Sequence, residues 1–171
     1  VLERIEGECQ NKALHSRYRT VVGMVLHLAV CVRPDVGASA RALSSHLQHP
    51  TTKHLAAAMR VVYYLANTRT LSLTYGRFPE EASFYGTCDA SFNSEEGSKG
   101  ITGWAFHLAG GAICWKSKTQ GLVALSSTES ELIAVDDAAR ELRYLEKLLA
   151  DFGVPPPRPT PMGQDNTSTC I

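Results

Sequence analysis

Paired cysteines are missing from this sequence. Its five cysteines, Cys9, Cys31, Cys88, Cys114 and Cys170, are odd in number and widely spaced, with no C-x-x-C pair. Neither a disulfide framework nor a zinc site is expected, and reduced thiols inside a cell are the default. Long apolar runs are missing too. The longest, 21–32, contains His27 and is far too short to span a bilayer, so no membrane partner is expected. No basic-then-apolar signal segment opens the chain, and Val1 stands where an initiator Met would be, as expected of an excerpt or a processed product. Low-complexity runs are absent, and 44% hydrophobic with 20% charged residues is the composition of a globular protein. At 171 residues the chain has room for one ordinary domain or two small ones.

Net charge is also absent, but the zero hides a division. Residues 1–77 carry 10 Lys+Arg against 4 Asp+Glu, and residues 78–171 carry 7 against 13. A basic half joined to an acidic half suits a module that grips phosphates beside one that holds divalent metal. Two ordinary surfaces of opposite bias are the plainer alternative.

Hydrophobic spacing predicts three short helices first. Val21, Val22, Val25, Leu26, Leu28 and Ala29 give a buried helix over 18–32. Pro34 breaks it, and Asp35 is placed to cap a second helix reaching about Leu47. Pro50, Thr51 and Thr52 open a third, with Leu55, Ala58, Met59, Val62, Leu65 and Ala66 on one stripe and Lys53, His54 and Arg60 nearer solvent. The alternation in 71–75 predicts a strand. This helical region is assigned to 1–76, a linker with Pro79 to 77–82, and a second domain to 83–171.

The grammar then changes. Alternation predicts strands over 83–92, 101–109 and 112–116, with a polar turn at 93–100 and a tight hairpin at Gly110 and Gly111. Sequential strands with short turns make an antiparallel meander. A Ser or Thr within 126–128 caps a long helix, whose stripe reads Leu132, Val135, Ala139, Leu142, Leu145, Leu149 and Phe152. Gly153 and the prolines at 155–157 stop it, and 160–164 is a fourth strand ending at Asp165. The fold class is mixed α/β.

Three carboxylates fall where a metal site needs them. Asp89 lies in the first predicted strand between small neighbours, Glu131 one turn into the long helix at the edge of its apolar stripe, and Asp165 at the end of the fourth strand. Such oxygen ligands, held on rigid elements, bind hard divalent cations. Individually they have plainer readings: a turn aspartate, or a glutamate serving the helix dipole.

Longer motifs narrow the choice. The stretches 18–23, 33–35, 49–54, 103–120 and above all 124–134 (ALSSTESELIA), in this order, resemble the Pol polyprotein of copia-type LTR retrotransposons, from the end of reverse transcriptase into ribonuclease H. The similarity covers roughly residues 17 to 171. It implies a ribonuclease H-like mixed sheet, with meander, long helix and further strand, preceded by a small helical module like the thumb or connection. It implies two divalent ions, Mg or Mn, held by Asp89, Glu131 and Asp165, and hydrolysis of the RNA strand of an RNA/DNA hybrid. Asp89 would bridge both ions. Arg41, Lys53 and Arg60 would contact the phosphate backbone, although a solvated helix face explains them equally well. The rest of the polyprotein is an implied partner, and a cytoplasmic particle or the nucleus the implied location. Departures from the family are Ser91, where a second acidic residue is usual, and the lack of both a fourth carboxylate and a Tyr-x-Asp-Asp polymerase motif. The domain is therefore expected to be truncated and not to polymerise DNA. A remnant that only binds nucleic acid or protein is the competing reading.

Other residues are set aside on physical grounds. Asp136 and Asp137 read as solvated helix positions, Cys88 as a buried strand thiol, and His107 as a packed or surface histidine. Ser126, Ser127 and Thr128 read as caps, and Trp104 and Trp115 as core.

Overall fold

A computed structural model describes residues 11–76, 84–92, 99–156 and 158–165. The chain divides into two compact units, Val1–Ser72 and Leu73–Ile171. The expected linker at 77–82 and most of the expected turn at 93–100 lie outside the described residues.

The first unit is helical. Helix α1 spans Lys12–Cys31, beginning six residues before the expected start at residue 18 because the Asn11 side chain caps it, accepting from the Leu14 N–H at 3.0 Å. A 3-10 turn at Pro34–Val36 leads into α2, Gly37–Ser44, and α3 follows at Thr52–Asn67. Tyr18, Val21 and Val22 of α1 pack with Leu43 and Ala58, while Val25 and Ala29 pack with Val36 and Ala40.

Two expectations fail here. Asp35 caps nothing. Its carboxylate takes a two-pronged bond from Arg33, at 2.9 and 2.7 Å, and a third from the Tyr64 hydroxyl. Arg33 also reaches the Thr68 carbonyl and hydroxyl, so the pair ties the α1 end to the α3 end. His54 is not near solvent but 2% exposed. It completes a capping box, its Nδ1 accepting from the Thr51 N–H while Thr51 Oγ1 accepts from the His54 N–H, and its ring stacks on His46 at 4.2 Å.

The second unit is a four-stranded sheet with one helix. Strands β1 (Phe84–Ser91), β2 (Ile101–Leu108) and β3 (Gly111–Thr119) form the antiparallel meander, and β4 (Met162–Gly163) joins β1 in parallel, giving the order β3-β2-β1-β4. The β2–β3 turn falls at Ala109 and Gly110, both at positive φ, one residue earlier than predicted. Gly111 is instead a strand residue paired with Leu108, and a Cβ there would lie 2.5 Å from the Tyr75 ring. No strand forms at 71–76. That segment docks by one backbone bond, Gly76 N–H to the Ala109 carbonyl, and by the Tyr75 hydroxyl on the Ala112 carbonyl.

Helix α4, Ser127–Asp151, covers the face carrying Phe84, Cys88, Trp104 and Phe106. Its buried stripe runs through Ala134, Ala138, Leu145 and Leu149, with Val135 and Leu142 beside it. Leu132 and Phe152, predicted to lie on that stripe, are 51% and 73% exposed. The small Ala134 and Ala138 form the contact face instead, which turns Leu132 outward. Gly153 at positive φ ends the helix.

Candidate metal centre

Each carboxylate is placed by a different element. Alternation along β1 sends Phe84, Gly86 and Cys88 inward, which leaves Asp89 exposed near the strand end, opposite Gly103 of β2. Ser126 caps α4 by accepting from the Glu129 N–H at 3.1 Å, and Glu129 reaches back to the Leu125 N–H. The capped first turn leaves Glu131 buried, at 6% exposure. Asp165 follows β4 by two residues, and β4 is fixed by its pairing with Gly86 and Thr87.

These three residues converge. One ligand atom from each of Asp89, Glu131 and Asp165 lies within 4.8 Å of the others. Two oxygens across one Mg ion sit roughly 4.2 Å apart, and paired catalytic ions are roughly 3.5–4 Å apart. The cluster thus has the dimensions for one or two hard cations, and its donors are all oxygens. Unneutralised, such close carboxylates repel one another.

Two glutamines hold Glu131 in place. Gln164, beside Asp165, donates from its Nε2 to Glu131 Oε2 at 2.9 Å. Gln120, at the end of β3, is 3% exposed and donates to the Ser130 carbonyl at 2.9 Å and to Thr102 Oγ1 at 3.1 Å. Ser130, fully buried, returns a bond from its hydroxyl to Gln120 Oε1 at 3.1 Å. Gly100 lies against this junction, where a Cβ would meet Gln120 Oε1 and Ser130 Oγ at 2.5 and 2.6 Å.

The chain has relatives among known proteins. The chain is 33% identical over 138 residues to the retrovirus-related Pol polyprotein from transposon TNT 1-94 of Nicotiana tabacum, covering 80% of this chain and 10% of that protein. It is 32% identical over 155 residues to the corresponding polyprotein from transposon RE1 of Arabidopsis thaliana, covering 88% of this chain and 10% of that protein. The chain is homologous to a segment of retrotransposon Pol polyproteins. It spans about a tenth of the length of these Pol polyproteins. It is also 37% identical over 129 residues to secreted RxLR effector protein 161 of Plasmopara viticola, covering 75% of this chain and 90% of that protein. No protein-family model and no solved structure matches the chain.

Within this Pol segment, the predicted phosphate contacts belong to the first unit. Lys53 and Arg60 are exposed on α3, seven residues apart and so on one face about 10 Å apart along the axis. Arg41 is half-buried on α2. Asp137 corrects an expectation. It is not a solvated helix residue but accepts from the Trp104 indole at 2.8 Å and from Lys116 at 2.9 Å. Burial pushes its carboxyl up, but the indole and the ammonium outweigh burial and hold it below the usual range. Asp136, by contrast, is exposed and pairs with Arg140. The roles of Gln164, Gln120 and Ser130 were not anticipated, although Gln120 and Ser130 fall within the stretches 103–120 and 124–134 and Gln164 precedes Asp165.

Proposed function

We propose that the chain joins the end of a reverse transcriptase to a ribonuclease H-type domain whose parent hydrolyses the RNA strand of RNA/DNA hybrids. The observation that carries this reading is the convergence of Asp89, Glu131 and Asp165, from a strand, a helix and a loop, within 4.8 Å. Bound there, two divalent ions, Mg or Mn, supply an activated water and the charge that stabilises the attacking and leaving oxygens. Asp89, Glu131 and Asp165 would hold these ions through their carboxylate oxygens. Gln164 occupies one Glu131 oxygen and leaves Oε1 for the cation. The exposed positions of Asp89 and Asp165 let a phosphodiester approach, while buried Glu131 is the rigid ligand. Lys53 and Arg60, with Arg41, grip backbone phosphates without reading sequence.

The second reading is a non-catalytic module of the same fold that binds nucleic acid or protein. The effector relative, nearly all of which aligns with this chain, shows that the segment also occurs outside a Pol polyprotein. One experiment separates them. Labelled RNA/DNA hybrid is incubated with Mn or Mg and either the native chain or Asp89→Asn. Cleavage by the native chain alone supports hydrolysis; no cleavage by either leaves the binding module.

A further inference from the structure

Residues 11–72 contain eight lysines and arginines but one carboxylate, Asp35, and Arg33 already holds that one. Seven cations in this stretch therefore cannot be neutralised from within it. Over the whole unit Val1–Ser72 nine lysines and arginines face four carboxylates, a surplus that suits an external polyanion. A cavity shows where one of its charges could sit. It has a volume of about 410 Å³ and is lined by His15 and Arg19 of α1 and by Leu47, Gln48 and His49, which precede α3. That size is within the ~300–1,000 Å³ range of small-ligand pockets.

Three features of the cavity suit a phosphate ester. First, the lining residues His15 and Arg19 are four apart, so they share one side of α1, and the exposed Arg19 presents a planar fork of donors. Second, His49 Nδ1 is buried with no hydrogen-bond partner, a state that costs ~1–3 kcal/mol unless a ligand or water satisfies it. Third, α3 begins three residues after His49, so the positive end of a 16-residue helix adds to the local potential. Leu47 supplies an apolar wall suited to a sugar. The motif at 49–54 thereby gains a role that the carboxylate cluster does not give it.

We propose that this cavity seats a backbone phosphate of a nucleic acid, with Arg19 as its charge and His15, Gln48 and His49 as its hydrogen-bonding walls. The inference rests on the reading of the chain as a segment that acts on nucleic acid, but it concerns binding and not hydrolysis. The spread of the surplus over α1 and α3 favours an extended polyanion over a small one.

The test is anisotropy of a labelled RNA/DNA hybrid with the full chain, titrated with salt in the presence of a metal chelator. Arg19→Gln is expected to weaken binding several-fold and to reduce the slope of log K against log salt by about one, the signature of one lost phosphate contact. His49→Gln is expected to weaken binding too, with helical circular dichroism unchanged. Arg17→Gln removes the same charge about 200° around α1 and is expected to do less. Equal effects from Arg17→Gln and Arg19→Gln overturn the proposal, as does absence of hybrid binding by the native chain. So does displacement of the hybrid by inorganic phosphate at matched ionic strength, which makes the cavity a small-anion site. A chain that binds through Arg19 yet cleaves nothing keeps this proposal while the hydrolysis reading falls.

Discussion

The junction of Gln120, Ser130 and Thr102 is where stability and the carboxylate cluster meet, and Gln120→Leu is the substitution that probes it. Leucine is close to glutamine in size, so the cavity term is small and the effect is polar. Three side-chain bonds disappear: Gln120 Nε2 to Thr102 Oγ1, Gln120 Nε2 to the Ser130 carbonyl, and Ser130 Oγ to Gln120 Oε1. All three residues are at most 3% exposed, so water does not replace the lost partners. Two hydroxyls are left stranded, Ser130 and Thr102, at about 1–3 kcal/mol each. The Ser130 carbonyl loses only a second bond, because it also lies within α4. The expected destabilisation is about 2–6 kcal/mol.

The assay is denaturant unfolding followed by tryptophan fluorescence. Trp104 and Trp115 both belong to the second unit, so the signal reports on that unit alone. Ser130→Ala by itself strands Gln120 Oε1, at about 1–3 kcal/mol. In Gln120→Leu/Ser130→Ala neither side of that bond remains, so the double variant is expected to lose less than the sum of the single losses. Gly100→Ala, which pushes a methyl against Gln120 Oε1 and Ser130 Oγ, is expected to cost about 1–3 kcal/mol. Stability of Gln120→Leu within about 0.5 kcal/mol of native, or strict additivity in the cycle, refutes the reasoning.

Two further outcomes follow from other contacts. Tyr18 is fully buried and donates to the Leu43 carbonyl at 2.7 Å, and burial pushes its hydroxyl up to about 12 from 10.0. Because the fold favours the neutral phenol, this stabilisation is complete below pH 10 and is lost as pH rises towards 12, by about 2–3 kcal/mol. Helical circular dichroism through denaturation at pH 9 and 12 should show that loss in the native chain and a smaller one in Tyr18→Phe; parallel losses count against the argument. Gln164→Leu removes the donor on Glu131 Oε2, and outer-layer losses of this kind cost about 10–100-fold in metal affinity. Calorimetric titration with Mn, with Asp89→Asn as baseline, measures it, and native affinity in Gln164→Leu would show that Glu131 does not need that bond.

What was legible in the sequence was whatever repeats or punctuates. The meander could be read because Phe84, Gly86 and Cys88 alternate, and the α4 stop because only glycine sits easily at the positive φ of residue 153. Residues whose role depends on distant partners could not be read. His54 sits at a polar-looking helical position, yet its cap with Thr51 and its stack on His46 bury it. Leu132 looked like core because periodicity scores apolar residues, whereas the small Ala134 and Ala138 are fully buried positions of that helix. Gln120 and Gln164 belong to no periodicity, since their partners lie 10 to 33 residues away. Element order made the carboxylates candidates and the resemblance singled them out; β4, returning in parallel beside β1, brings Asp165 to Asp89 and Glu131. Nothing in that order fixes which Glu131 oxygen is free. That depends on Gln164 directly and, through the backbone of Ser130, on Gln120, so the precision of the cluster is set by neutral amides rather than by its charges.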